Sequence, residues 1–360
     1  MTAPEPRANP HLAGHEAAER ALLDAFNSGR MAHAWLISGP KGIGKATLAY
    51  RFARFVLARG RGVAGPSLFG GAPPAPASLE VPPGDPVCQR VAGGGHADLF
   101  TVERRVDEKT GKMKGEIVID DVRGIGGFMS MTAAEGGWRV AVIDAADDMN
   151  TNAANAVLKV LEEPPKGALL LLVCHNPGRL LPTIRSRCRK LVLSPLPTGM
   201  VADLLCRYRP ETAQAEAREL ADLAEGSVGR ALALAEEGGL ELYRRVAGLL
   251  AGLPQLDVEA LHALGDQVAR AGGEGAFATL GDLLRWWMAR LALAAARSDT
   301  ASLPPADRAL AERLQAAGTL DRWLENWEKT NRLLARCEDI NLDRKQVVLN
   351  IFAGLEGAAR

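Results

Sequence analysis

The sequence predicts an α/β domain with a parallel sheet, followed by a region that is entirely helical. Apolar stretches of strand length alternate with stretches of helical periodicity up to about residue 195, a pattern typical of a parallel sheet covered by helices. After Pro195 no β-rich stretch remains, and helical spacing continues to the end. A glycine-rich loop between the first predicted strand and the next helix indicates a phosphate-binding fold.

The predicted elements of the sheet domain follow in a regular order. A helix over 16–28 precedes a strand over 34–38, which leads through the glycine loop into a helix over 47–58. The remaining strands are predicted at 99–102, 139–144, 168–174 and 190–194, and the remaining helices after Asp120 and at 151–162. Residues 59–98 are rich in Gly, Pro and Ala and are predicted to form a surface insertion.

Glycine and proline breaks divide the helical region. A break at 226–230 lies within a predicted small helical domain, 196–240, between the sheet domain, 1–195, and a helical bundle, 241–360. Helices of the bundle are predicted near 239–251, 256–271, 275–296, 304–316, 319–338 and 343–354. In the fifth of these, one apolar face is formed by Leu320, Trp323, Leu324, Trp327 and Leu334, and we interpret it as core.

Composition narrows the class of protein. The chain has 360 residues and equal totals of 43 for Lys plus Arg and for Asp plus Glu, which argues against a protein that coats nucleic acid unaided. Contact with DNA is therefore expected to be local or shared with partners. The odd count of 5 cysteines, with no signal peptide and no apolar run of membrane length, predicts reduced thiols in the cytoplasm and no membrane association.

The glycine loop has the spacing of a phosphate-binding loop but lacks one working part. Gly39, Gly42, Gly44 and Lys45 are predicted to wrap a phosphate, with Lys45 reaching its outer oxygens. Ala46 stands where the Ser or Thr that holds Mg²⁺ is required, and Thr47 comes one residue too late to replace it. The alternative is a tight glycine turn with a solvated Lys45.

A second group that a P-loop ATPase needs is missing at the end of the third predicted strand. Asp144 is predicted to lie at the carboxyl edge of the sheet, where a P-loop ATPase directs an acid to its metal; the alternative is a turn or helix N-cap residue. Ala145 follows where a water-activating Glu would stand. Phosphoryl transfer needs metal and water positioning together, so we expect no intrinsic ATPase, no bound metal and at most weak ATP or ADP binding.

Two later segments carry a specific resemblance. Residues 155–165 read Asn-Ala-Val-Leu-Lys-Val-Leu-Glu-Glu-Pro-Pro, and residues 182–188 read Pro-Thr-Ile-Arg-Ser-Arg-Cys. With further matches at 33–36, 119–123 and 341–345, the chain resembles bacterial clamp-loader subunits of the AAA+ superfamily, most closely the delta-prime family of DNA polymerase III. The resemblance is weakest over 59–98 and 241–335. It implies an AAA+ P-loop domain, a small helical lid and a C-terminal helical collar.

The resemblance also implies roles for single residues. Arg187 matches the arginine finger that enters a neighbouring subunit's ATP site, and the alternative is a surface arginine. Arg230 matches a second sensor arginine in the lid, and the alternative is an arginine at a helix N-terminus. His175 falls at the first sensor position, but we interpret it as a satisfied histidine at a strand end. Where relatives carry a four-cysteine zinc module, this chain offers only Cys88 and His96, so we expect no zinc.

The sequence thus predicts a non-hydrolysing clamp-loader subunit. The resemblance implies partner ATPase subunits of the gamma/tau type, a delta subunit, the sliding clamp and, through the complex, primer-template DNA. One alternative is an active gamma/tau-like ATPase, against which Ala46 and Ala145 argue. Another is a stand-alone AAA+ factor of DNA repair.

Overall fold

The chain divides into two compact units, Met1–Ala231 and Leu232–Arg360. The computed structural model describes residues 4–60, 75–107, 111, 113–270, 273–297, 308–309, 311–312, 320–340 and 342–359. The finer division of the chain at 195 and 240 stays a prediction. Among the described residues, no helix is both long and apolar enough to cross a membrane.

The N-terminal unit contains the predicted parallel sheet. Its five strands lie in the order β2-β3-β4-β1-β5, and every neighbouring pair is parallel. The strands are β1 Ala34–Ser38, β2 Leu99–Glu103, β3 Arg139–Asp144, β4 Ala168–Cys174 and β5 Arg189–Val192. Because the strands are parallel, the residues that follow each of them meet at one carboxyl edge of the sheet.

Helices cover both faces of this sheet. They are α1 Glu16–Asn27, α2 Lys45–Arg59, α3 Pro86–Ala92, α4 Ile119–Val122, α5 Gly124–Ser130, α6 Thr151–Glu162 and α7 Pro182–Arg187. Side chains alternate across the strands, so Trp35 and Ile37 of β1 pack with α1, α2 and α3, while Leu36 packs with α4 to α7. Three further helices follow: α8 Thr198–Tyr208, α9 Gln214–Leu223 and α10 Val228–Glu236.

The predicted insertion is only partly a surface segment. Residues 61–74 lie outside the described part of the chain, but 86–92 form the helix α3, which the sequence prediction missed. Asp85 caps this helix through a hydrogen bond from the Val87 N–H (2.8 Å), and Pro86 stands at its first position. Val87 and Val91, one turn apart, are fully buried in the hydrophobic cluster that α2 and this face of the sheet share. The end of the insertion therefore belongs to the core.

The C-terminal unit is helical, as predicted. Its helices are α11 Gly239–Ala251, α12 Val258–Ala269, α13 Glu274–Arg297, α14 Leu320–Ile340 and α15 Arg344–Ala358. Only 308–309 and 311–312 of the helix predicted at 304–316 are described, and those four residues are helical.

The apolar face predicted on α14 is part of the core, with one correction. Trp323 is buried, packs edge-on against Trp287 at a centroid distance of 5.7 Å and donates its indole N–H to the Met288 carbonyl (3.3 Å). Leu334 is buried on the same face. Leu324, however, is 41% exposed, because it lies about 100° around the helix from Trp323.

Candidate phosphate-binding loop and rim arginine

The glycine loop joins the carboxyl end of β1 to the first turn of α2. Its three glycines have positive φ angles, 148° at Gly39, 77° at Gly42 and 105° at Gly44, in a region that L-residues rarely adopt. A Cβ atom at Gly39 would lie 2.4 Å from the Leu193 carbonyl oxygen, just after β5. The glycines are thus required by the backbone path itself.

The lid side of the N-terminal unit is bonded directly to this loop. The Ser227 hydroxyl donates to the Lys41 carbonyl (2.8 Å), and the Gly229 N–H donates to the Gly42 carbonyl (2.9 Å). A Cβ atom at Gly229 would lie 2.9 Å from the Gly42 Cα. The start of α10 therefore sits against the loop at a distance that only glycine permits.

The N-terminal segment holds the next carbonyl of the loop. The buried His15 contacts the Ile43 carbonyl through Nε2 (2.7 Å), and because a carbonyl oxygen can only accept, this nitrogen carries the proton. The lysine of the loop, Lys45, turns back and donates to the Pro40 carbonyl. Four consecutive carbonyls, from Pro40 to Ile43, are thus engaged by groups of this chain.

Lys45 is buried at the centre of the site. Burial lowers the pKa of its ammonium group to about 8, although Asp144 and Asp147 pull that pKa upward. A charged amine at the N-terminus of a helix is suited to bind an anion such as a phosphate. This part of the site fits the phosphates of a nucleotide.

Asp144 ends β3 beside Glu103, its register partner at the end of β2. Burial and the negative charge of Glu103 raise the pKa of Asp144 to about 6, while Lys45 opposes the shift. The structure thus places Asp144 at the carboxyl edge of the sheet, as the sequence predicted, and near enough to Lys45 for the two charges to interact.

The site offers little for a metal ion. Ala46 carries no hydroxyl, Ala145 is a buried methyl group, and Thr47 is buried one position further along α2. Among the described residues, no three His, Cys, Asp or Glu side chains are grouped so as to hold a metal. The residues present therefore fit a phosphate better than they fit a phosphate with its Mg²⁺.

Sequence reasoning gave no role to Asp147. Its two carboxylate oxygens accept the backbone N–H groups of His175 and Asn176, both at 2.8 Å, and so tie the loop after β3 to the end of β4. Burial alone would raise the pKa of Asp147, but these hydrogen bonds hold it below its ordinary value. The only sequence feature that could have indicated this role was the position of Asp147, three residues beyond the end of β3.

His175 differs from the satisfied histidine that we expected. Its Nδ1 is buried and has no hydrogen-bond partner among the described atoms. Burial, and then the charge of Lys45, lower the pKa of His175, so the ring is neutral at physiological pH. The ring thus stands within the electrostatic reach of Lys45.

Arg230 lies beside the loop because α10 begins there. Its backbone N–H donates to the Ser227 hydroxyl (3.1 Å), the same hydroxyl that contacts Lys41. The predicted sensor arginine and the glycine loop are therefore brought together by one serine. Arg230 is also an arginine in the first turn of a helix, so both interpretations of it remain.

Arg187 lies apart from this cluster, on the rim of the sheet domain. It is the last residue of α7 and precedes β5, the edge strand, at the amino edge of the sheet. Its guanidinium forms an ion pair with Glu162 (2.9 Å) and donates to the Thr183 carbonyl (3.2 Å). Nearby, Arg189 lies over the Trp35 ring, 4.8 Å from its centroid.

The two candidate zinc ligands have other contacts. The Cys88 thiol points towards the Val81 carbonyl (3.9 Å), and burial raises its pKa. The Nδ1 atom of His96 accepts the Asp98 N–H (3.1 Å). The absence of zinc stays a prediction.

The fold and the site together define a class of protein. A parallel sheet in the order β2-β3-β4-β1-β5, a glycine loop after β1 and a helical segment bonded to that loop are typical of a P-loop domain and agree with the AAA+ fold that the resemblance implies. The candidate phosphate-binding site has Ala46 and Ala145 at the positions of the metal-binding hydroxyl and the water-activating acid.

Comparisons with known proteins find similarity to subunits of DNA polymerase III. Residues 81–197 match the model of the family described as DNA polymerase III, delta subunit. The DNA polymerase III subunit delta' of Pseudomonas aeruginosa is 41% identical over 198 residues, 54% of this chain and 53% of that protein. The subunit delta' of Escherichia coli is 33% identical over 213 residues, 59% of this chain and 57% of that protein.

The similarity extends to another subunit of the same polymerase. The DNA polymerase III subunit tau of Escherichia coli is 26% identical over 281 residues, 75% of this chain and 39% of tau. The chain spans about half the length of the curated delta' relatives that it matches. On these matches the chain is similar to DNA polymerase III delta' subunits over about half of its length, which agrees with the predicted resemblance.

Proposed function

We propose that this protein is a non-hydrolysing subunit of a bacterial clamp loader. In this role it supplies Arg187 to the ATP site of a neighbouring ATPase subunit and helps to load the sliding clamp onto primed DNA. Its partners are ATPase subunits of the gamma/tau type, a delta subunit and the clamp, with primer-template DNA contacted through the complex. The similarity to DNA polymerase III subunits named delta' and tau supports these roles.

The observation that carries the proposal is the separation of Arg187 from the chain's own glycine loop. The loop follows β1 at the carboxyl edge of the sheet, whereas Arg187 precedes β5 at the amino edge. The four residues of β5 separate the two sites by about 13 Å at roughly 3.3 Å per residue. An exposed guanidinium in that place is suited to a phosphate on a neighbouring subunit and not to one on its own.

The chain's own site supports the other half of the proposal. Lys45, Asp144 and the three glycines retain the geometry of a phosphate loop, but Ala46 and Ala145 stand where the metal-binding hydroxyl and the water-activating acid would be. Weak binding of ATP or ADP through Lys45 is compatible with this arrangement, and hydrolysis is not. No zinc is required in this proposal.

The test is ATP turnover by a clamp loader reconstituted with this chain. Arg187→Ala should leave assembly intact, because an exposed arginine contributes little to the core. It should lower DNA- and clamp-stimulated turnover, because fingers supplied in trans are worth on the order of 10³- to 10⁵-fold at the site that they serve. The loss should be partial, since the other ATP sites keep their own arginines.

Two further variants make this test specific. Arg187→Lys should rescue turnover poorly, since lysine lacks the planar fork that grips phosphate. Arg189→Ala, two residues away and stacked on Trp35, is the matched control and should retain turnover. A mutant Arg187→Ala complex that turns over ATP and loads clamps at the wild-type rate would show that Arg187 is only a surface charge.

An active gamma/tau-like ATPase is the second candidate, because the similarity to tau covers 75% of this chain and Lys45 is retained. The isolated protein distinguishes the two. We expect no ATP turnover above background, because Ala46 and Ala145 remove the metal and water contacts. Turnover that Lys45→Ala abolishes would establish the second candidate instead.

A further inference from the structure

The guanidinium of Arg187 is held by two groups before any partner arrives. One Nη atom lies 2.9 Å from Glu162 Oε1, and the other donates to the Thr183 carbonyl at 3.2 Å. Glu162 ends α6, whereas Thr183 lies four residues before Arg187 in the same helix, α7, so the arginine is held both by its own helix and by a neighbouring one. Two contacts on different nitrogens fix the plane of the group as well as its position.

These contacts leave most of the guanidinium available. An arginine carries five N–H donors, of which the carboxylate and the carbonyl engage two. The side chain of Arg187 remains 37% exposed and that of Glu162 remains 50% exposed. A phosphate can therefore approach without first displacing Glu162.

Holding the arginine in advance has a physical benefit. A long, exposed arginine samples many rotamers, and ordering it against a phosphate costs conformational entropy. A side chain already fixed in one plane loses less entropy when the phosphate binds. The negative charge of a neighbouring carboxylate also partly offsets the positive charge that the guanidinium presents to a phosphate, so the benefit is expected to be moderate.

We propose that Glu162 is a positioning residue for Arg187, fixing the plane of its guanidinium for a phosphate on the neighbouring subunit. This inference rests on the proposed function of Arg187 and adds a second residue to it. Glu162 acts through Arg187 and does not itself contact the nucleotide. The next residue, Glu163, is also exposed, and its side chain makes no hydrogen bond or ion pair within the described part of the chain.

The experiment uses the reconstituted clamp loader and measures DNA- and clamp-stimulated ATP turnover. Glu162→Ala should lower the maximal rate by about two- to fivefold, the range expected for loss of one exposed ion pair, with little change in the KM for ATP. Glu162→Gln keeps an oxygen that accepts the same hydrogen bond and should retain most of the rate. Glu163→Ala is the matched control and should behave as wild type.

A double substitution shows whether the effect passes through Arg187. Adding Glu162→Ala to Arg187→Ala should lower the rate no further, because the residue being positioned is gone. Loss of assembly or folding is not expected, since an acidic residue at the C-terminal end of a helix does not stabilise it; gel filtration and thermal melting check this point.

The outcomes separate this inference from the proposed function. A normal rate for Arg187→Ala would overturn both. A reduced rate for Arg187→Ala with a normal rate for Glu162→Ala would leave the proposed function standing and overturn the positioning role. A faster rate for Glu162→Ala would also overturn it, because Glu162 would then be restraining the arginine instead of positioning it.

Discussion

At the candidate phosphate-binding loop, burial of the ionised Asp144 carboxylate destabilises the folded protein. Asp144 is mostly buried beside Glu103, and its pKa is raised to about 6 from an ordinary value of 3.8. A carboxyl group with a raised pKa is harder to ionise in the folded state than in the unfolded chain. The cost of ionisation is therefore absent below about pH 3.8, grows between pH 3.8 and 6, and is complete above pH 6.

Asp144→Asn removes this cost, because the amide has nearly the same shape and no charge. At pH 7.5 the variant should be more stable than wild type by roughly 1–3 kcal/mol, after allowance for partial solvent access, at about 1.4 kcal/mol per unit of pKa. The advantage should shrink as the pH falls below 6. Thermal melting of both proteins between pH 4 and pH 8 measures it.

Asp222→Asn, an exposed change on α9, provides the control and should leave the melting temperature unchanged at every pH. A variant Asp144→Asn that is no more stable than wild type at pH 7.5 would show that Asp144 is not a buried charge.

The raised pKa of Asp144 also makes this carboxylate a weaker metal ligand near pH 6 than an ordinary aspartate.

The elements of the sheet domain were largely predictable. The predicted limits of β1, β3, β4 and α6 coincide with the observed ones, because alternating or continuous apolar residues between polar turns leave few alternatives. The helix α3 was missed since Gly, Pro and Ala dominate the composition around it, although Asp85 and Pro86 form an ordinary helix start.

Contacts that join distant elements could not be predicted in the same way. The hydrogen bond between Ser227 and Lys41 joins residues 186 positions apart, and the one between His15 and Ile43 joins residues 28 positions apart. No local pattern specifies such a pairing, because it depends on how the lid helices dock on the sheet. The site residues were therefore found from motifs, whereas the groups that brace the loop were not.

The docking of α10 on the glycine loop can be tested with one methyl group. Gly229→Ala should destabilise the protein by about 1–3 kcal/mol, because the new Cβ atom would lie 2.9 Å from the Gly42 backbone. Gly199→Ala is closely matched, since it is also the second residue of a helix and its Cβ atom meets nothing within 4 Å. Urea unfolding of the full chain compares the two variants.

Gly199→Ala should be neutral or slightly stabilising, as alanine is favoured over glycine in a helix by up to about 1 kcal/mol. If Gly229→Ala proves as harmless as Gly199→Ala, α10 does not press on the loop as described. If the two differ as expected, the lid contact contributes directly to the stability of the N-terminal unit.

At the scale of the whole molecule, the two compact units differ in how far they match known families. The family match covers 81–197, which includes Asp144 and Arg187. The glycine loop lies before this range but in the same N-terminal unit. The C-terminal unit is helical, with the pair of Trp287 and Trp323 in its core, and the family resemblance there rests on the short match at 341–345. Membership of a clamp loader is the claim on which the roles of Arg187 and Glu162 depend.

The most direct measurement of that claim uses the gamma/tau, delta and clamp proteins purified from the same cell as this chain. Gel filtration of the mixture and clamp loading onto primed DNA are measured with the chain and without it. We expect the chain to elute with gamma/tau and delta in a fixed ratio, and loading to fall to background when it is omitted. A chain that elutes alone, with loading unchanged by its omission, would contradict the account.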